Sequence, residues 1–155
     1  MERVSLDDID SRMGPAEVKR PVSRALGAED VAINYYELAA GESFAFGYHA
    51  HESQEEIFYV QSGTVTFGTE SGGVAVAAGE AVRFAPGEFQ RGVNEGDDRV
   101  RALAVGAPQS TGETTVRREC PDCGERTTTD IELTDDRAAL VTVCQDCGTE
   151  TGRFT

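Results

Sequence analysis

The chain has 155 residues, 39% of them hydrophobic, which is enough for one ordinary domain plus a small module. Asp and Glu total 28 against 14 Lys and Arg, a net charge of −14, and a surface this acidic repels phosphate backbones, so general nucleic-acid binding is not expected. No apolar run approaches the ~20 residues of a membrane-spanning helix, and the opening MERVSLDDIDSRMG lacks the basic start and apolar stretch of a secretory signal, so a cytoplasmic protein is the expectation.

Residues 1–30 show no clear period. Val22–Leu26 reads as a short strand or turn, and this segment is expected to wrap the domain or pair with its edge. From Val31 the chain reads as β structure. Val31–Leu38 (VAINYYEL) is rich in β-branched and aromatic residues. Short runs follow at Ser43–His51, Glu56–Val60, Thr64–Thr69, Val74–Ala78, Ala81–Ala85 and Val100–Val105. Turn signals separate them, among them Gln61-Ser62-Gly63, Ser71-Gly72-Gly73 and Pro86-Gly87. This spacing, without a helical period, predicts an all-β sandwich or barrel. APQSTGE (Ala107–Glu113) combines Pro, Gly and small polar residues and places a linker over 108–113. All four cysteines lie beyond it. The predicted organisation is therefore a barrel with an N-terminal extension over 1–107 and a second module over 114–155.

The only two histidines are His49 and His51, in the run FAFGYHAH. On a strand, residues two apart share a face, so both imidazoles point the same way. Two neutral imidazoles on one face can grip a divalent metal, and a carboxylate from the next strand would complete three ligands. Glu56 is the candidate. It opens a run in which Glu56, Phe58 and Val60 share a face. Glu55 is its rival. An isolated His-Xaa-His pair more often marks two surface histidines, so the surrounding sequence decides.

That sequence resembles the cupin family. The family's first motif is Gly, five residues, His-Xaa-His, three or four residues, Glu, six residues, Gly. His49, His51, Glu56 and Gly63 fit this spacing, while the leading Gly slot holds Ser43. The second motif runs Gly, a Pro-Xaa-Gly turn, His, three residues, Asn. Gly79, Pro86-Gly87 and Asn94 follow it imperfectly, and Gln90 stands in the slot of the third histidine. The resemblance covers roughly Val31–Ala107 and implies a jelly-roll barrel, the double-stranded β-helix. It also implies one divalent metal (Fe, Mn, Zn or Ni) held by His49, His51 and Glu56, and a homodimer through barrel edges. Gln90 would be a weak fourth ligand or a donor behind the other three, because a neutral amide carbonyl is a poorer ligand than imidazole. Two His and one carboxylate also resemble the facial triad of non-haem Fe(II) oxygenases. Tyr35, Tyr36, Phe44, Phe46, Phe58 and Phe84 read as core or barrel lining, and Arg83 and Arg91 as solvated surface cations.

In the second module, Cys120-Pro-Asp-Cys123-Gly124 and Cys144-Gln-Asp-Cys147-Gly148 form two matching knuckles with 20 residues between them. Each sets two thiolates on one side of a tight turn, and the Gly lets the backbone fold beneath the sulfurs. Thr127–Leu133 and Ala138–Val143 read as a hairpin turned at Thr134-Asp135-Asp136. The pattern resembles a zinc ribbon and predicts one structural Zn held by four thiolates. Disulfides are disfavoured in a cytosolic chain, and no βαβ context supports a redox motif. Carboxylates such as Asp122, Glu125, Asp130 and Asp146 make a protein partner or intramolecular docking the expected use of the ribbon, rather than DNA.

Three functions fit. One is a metal-dependent enzyme, dioxygenase- or isomerase-like, on a small polar molecule. Another is a non-enzymatic module that binds or senses a small ligand while the ribbon contacts a protein partner. The third is a structural barrel rigidified by metal. No catalytic residue outside the metal shell is identifiable from sequence. The acidity further predicts a chain adapted to high salt, where screening relieves self-repulsion. The thermal unfolding midpoint is expected to rise between low and molar salt. An unchanged midpoint would contradict this.

Overall fold

A computed structural model describes all residues, Met1–Thr155. A short 3-10 turn (Leu6–Asp8) precedes β1 (Val18–Pro21), helix α1 (Val22–Leu26), β2 (Ala32–Leu38), β3 (Tyr48–His51), β4 (Glu55–Ser62) and β5 (Thr64–Thr69). There follow β6 (Gly72–Ala77), β7 (Ala81–Phe84), β8 (Gln90–Val93) and β9 (Val100–Ala107), then β10 (Thr114–Cys120), β11 (Glu125–Leu133), β12 (Leu140–Cys144) and β13 (Glu150–Phe154). All strand pairs are antiparallel. They form a five-stranded sheet, β1-β2-β9-β4-β7, and an eight-stranded sheet, β13-β12-β11-β10-β3-β8-β5-β6. No helix is long and apolar enough to cross a membrane.

The two-residue alternation of the strands builds the core. On β4, Phe58 and Val60 are buried while Ile57 and Tyr59 are exposed; on β5, Val65 and Phe67 are buried; on β9, Val100, Ala102 and Ala104. Phe44, Phe58, Phe67 and Phe84 interlock between the sheets, with Phe58 lying 4.8 Å from Phe44 and 5.0 Å from Phe67, centroid to centroid. The expected lining aromatics Tyr36, Phe44, Phe58 and Phe84 all belong to this cluster.

The N-terminal extension pairs with the barrel edge, β1 on β2 from Val18↔Glu37 to Pro21↔Asn34. Val22–Leu26 is a helical turn, closed by left-handed Gly27. Within the predicted run Ser43–His51, only the last four residues are strand; upstream, Ser43 makes a single bridge to Val93. Four strands carry no clear signal in the sequence: β1, β8, β10 and β13.

The strand that opens the cysteine module, β10, pairs with β3, so the ribbon strands continue the barrel sheet. The register sets Thr114 opposite His51 and Val116 opposite His49. On its other side β3 pairs with β8, with His49 opposite Gln90. Gly47 permits the close approach of β10: a Cβ there would lie 2.7 Å from the Arg117 carbonyl oxygen. Residues 108–113 are tied down by hydrogen bonds. The Gln54 amide donates to the carbonyls of Pro108 and Gln109, and the backbone of Glu52 and Ser53 donates to Glu113 and Thr111.

Candidate metal centres

His49 and His51 project from one face of β3, as period two requires, with ring centroids 5.0 Å apart. Glu56, at the start of β4 in the opposite sheet, meets both. Its Oε2 lies 3.5 Å from His51 Nε2 and 3.8 Å from His49 Nε2. Glu55 points elsewhere, onto Arg83. His49 Nδ1 is 3.1 Å from the Gly47 carbonyl. A carbonyl only accepts, so Nδ1 carries the proton and Nε2 turns a lone pair inward. His51 Nδ1 is held 2.9 Å from the Thr114 hydroxyl on β10. Burial pushes the Glu56 carboxyl up, but when the two imidazoles are protonated their hydrogen bonding and charge outweigh it and hold the group down at about 2.

Gln90 closes the cluster from β8. Its Nε2 lies 3.3 Å from His49 Nε2 and 3.2 Å from Glu56 Oε2, donating between two acceptors. Its Oε1 is buried without a partner. Turning the amide over would present that carbonyl to the same point. The donor set suits a divalent cation, because three acceptor atoms converge within 4.8 Å and need positive charge between them. Ligand bonds of ~2.1 Å at tetrahedral angles give donor separations of about 3.4 Å. The observed 3.5 and 3.8 Å lie within a few tenths of that.

The cluster opens on a cavity of about 170 Å³ bordered by Lys19, Tyr36, Phe44, Phe46, Thr114 and Ile131. Lys19 is the chain's only lysine. It reaches in from β1, with its ammonium 5.6 Å from the Tyr36 ring centroid. Burial lowers its pKa, and the charge of Glu56 opposes that shift. Sequence reading assigned no role to Lys19 or Thr114. Both reach the site through long-range strand pairing. For Lys19 the one available signal was its singularity in the composition. Of the two arginines read as solvated, Arg83 is exposed and paired with Glu55, whereas Arg91 is half-buried with its Nε fully enclosed.

The four cysteines form a second cluster at the far end of the long sheet. Cys120 and Cys144 are buried, Cys123 and Cys147 exposed. Sγ atoms of Cys120 and Cys147 lie 3.5 Å apart, those of Cys123 and Cys144 3.9 Å. Disulfide sulfurs are ~2.05 Å apart, whereas a tetrahedron of ~2.3 Å Zn–S bonds has edges of about 3.8 Å. Gly124 and Gly148 take φ of 73° and 78° and donate to the carbonyls of Cys120 and Cys144, 2.9 Å in each case. The Thr127 hydroxyl, with backbone amides of the second knuckle, holds the Cys144 thiol down at about 6. Neighbouring thiols push Cys123 up. The geometry fits a small zinc ribbon.

Residues 34–106 match the family model described as a cupin domain. A cupin-superfamily sugar phosphate isomerase from Silicibacter pomeroyi has a similar structure, with a TM-score of 0.65 and 20% identity over 99% of this chain and 92% of that one. A double-stranded β-helix protein from Klebsiella pneumoniae aligns with a TM-score of 0.60 and 18% identity, covering 74% of this chain and 89% of that one. A predicted oxalate decarboxylase from Thermotoga maritima aligns with a TM-score of 0.58 and 22% identity over 69% and 99% of the two chains. No curated protein matches the sequence. The family match, the two facing sheets and the His-Xaa-His strand agree: residues 34–106 form a cupin domain.

Proposed function

We propose that the chain is a metal-dependent cupin enzyme, dioxygenase- or isomerase-like, acting on a small polar anion. The supporting observation is the placement of the acceptor cluster. His49, His51 and Glu56 converge at the wall of a cavity that also receives the Lys19 side chain. In this reading a divalent ion (Fe, Mn, Zn or Ni) is held by His49, His51 and Glu56, with Gln90 turning its carbonyl inward as a fourth, weaker donor. Such an ion supplies Lewis acidity, or for Fe a route to dioxygen.

The remaining work falls to the chain's own groups. The Lys19 ammonium meets an anionic group of the substrate and gains strength from its apolar setting. Phe44, Phe46 and Ile131 exclude water from that pairing. Thr114 fixes the ring plane of His51, so that Nε2 stays aimed at Glu56. The fold neighbours named for a sugar phosphate and for oxalate are named for small, oxygen-rich anions, which agrees with this substrate class. The cysteine cluster holds one structural Zn, and the ribbon's first role is to present β10 to β3. We further propose that the chain acts in the cytoplasm as a homodimer and that the ribbon meets a separate protein partner.

Elemental analysis of protein purified without added metal tests this reading. Two ions per chain are expected, one of them lost in His51→Ala. One zinc that survives His51→Ala would leave the barrel without metal and favour simple ligand binding. A turnover screen with Fe²⁺ and Mn²⁺ then separates enzyme from sensor.

A second test addresses Thr114. Thr114→Val keeps the strand and removes only the hydroxyl on His51. Barrel metal affinity, measured by competition with a chelator, should fall about 10- to 100-fold, while the ribbon zinc is retained. Unchanged affinity would remove Thr114 from the site.

A further inference from the structure

We propose that the outer face of the long sheet, on the opposite side of β8 from the metal cluster, carries a second site that binds a phosphate dianion around Arg91.

Alternation along β8 sends Gln90 inward to the metal cluster and Arg91 outward. Arg91 there enters a cleft of about 270 Å³ shared with Arg117, Arg118 and Arg126 and edged by the side chains of Tyr48 and Thr66. This is an unusual concentration. The chain has 14 basic residues against 28 acidic ones, and four of the basic residues border one cleft.

Outside the cleft, five of the nine arginines find carboxylates. Arg20 pairs with Asp7, Arg83 with Glu55, Arg99 with Glu17 and Glu37, Arg101 with Glu37 and Arg153 with Glu150. Within the cleft only Arg126 has such a partner, Glu119 at 3.0 Å. Arg91 has no carboxylate, and its Nε is buried with no hydrogen-bond acceptor. A buried donor left unmade is costly, and a guanidinium more so. The cleft therefore gathers four like charges, with Arg91 and Arg118 half-buried, an arrangement that an anion between them would relieve.

The cleft is also preorganised. Tyr48 and Phe89 stack at 5.2 Å, and each carries a guanidinium on its ring: Arg126 lies 4.7 Å over Tyr48 and Arg117 4.4 Å over Phe89. Arg118 is fixed by donation to the carbonyls of Phe46 and Thr151. Aromatic and carbonyl anchors thus hold three of the four guanidiniums before any ligand arrives, leaving Arg91 as the free fork. Glu95 and Glu119 also border the cleft. Four cations against two carboxylates leave an excess of two positive charges, which matches a dianion better than a single carboxylate. Guanidinium forks suit phosphate oxygens in geometry as well as charge. Such a dianion comes either as inorganic phosphate or as the end of a phosphomonoester.

Calorimetric titration of the full chain with inorganic phosphate, and separately with methyl phosphate, tests the site at constant ionic strength. The expected result is saturable binding of at least one of them, unchanged in His51→Ala, which removes phosphate binding through a barrel metal. Arg91→Gln should weaken it about 10- to 100-fold. Arg117→Gln, at an exposed position, should weaken it in the same direction, and Arg83→Gln outside the cleft should leave it unchanged. Tighter binding of methyl phosphate assigns the esterified source, and tighter binding of phosphate the free ion. No saturable binding of either, binding equal in Arg91→Gln and Arg117→Gln to the wild type, or binding that disappears in His51→Ala would overturn the proposal.

Discussion

Strand β3 is four residues long and everything functional leans on it. Its inner face carries His49 and His51, and its two edges are paired with strands from opposite ends of the chain's logic. On one side β8 brings Gln90 opposite His49. On the other β10 brings Thr114 opposite His51. A strand this short has little stability of its own. Its position, and with it the aim of both imidazoles, is set by these neighbours. A shift of either neighbour by one residue would turn its inward side chain to the opposite face.

That constraint joins the two clusters. The same strand that places Thr114 against His51 ends at Cys120, the first thiol of the ribbon. Whatever orders the four thiols also orders the far end of β10. Structural metal in a module of this size supplies much of its folding free energy. The ribbon is then part of the scaffold of the barrel site, and Val116 and Ile131 from it line the barrel cavity. The two clusters also share an electrostatic logic. Each gathers lone pairs or thiolates closer than they would sit without a cation among them, and each has the hydrogen bonds that keep its donors aimed.

Much of this was legible in sequence because it is local. A period of two puts His49 and His51 on one face whatever surrounds them, and the spacing to Gly63 favours Glu56 over Glu55. Two CxxCG knuckles fold within a few residues each. Strands β4, β5 and β9 announce themselves through alternating Val, Phe and Ala, and β2 through its β-branched and aromatic residues. What escaped is non-local. Thr114 lies 63 residues from His51, and no local pattern marks it. Lys19 enters the cavity only because β1 pairs along β2. Strand β8 is QRGV, with a glycine and two polar residues in four, so propensity gives it no weight; it exists because β3 and β5 flank it. Arg91 reads as a surface cation because its lack of a carboxylate partner is a property of the assembled sheet.

Strand β3, fixed between β8 and β10, is thus proposed to aim its two imidazoles, with Glu56 facing them, at a single cation. Anomalous diffraction from crystals of the protein, recorded at the absorption edges of the metals it carries, tests it most directly. Two peaks per chain are expected. One is bounded by Nε2 of His49, Nε2 of His51 and a Glu56 carboxylate oxygen, and the other sits at the centre of the four cysteine sulfurs. A single peak at the cysteines, with the three barrel donors turned away from one another, would contradict it.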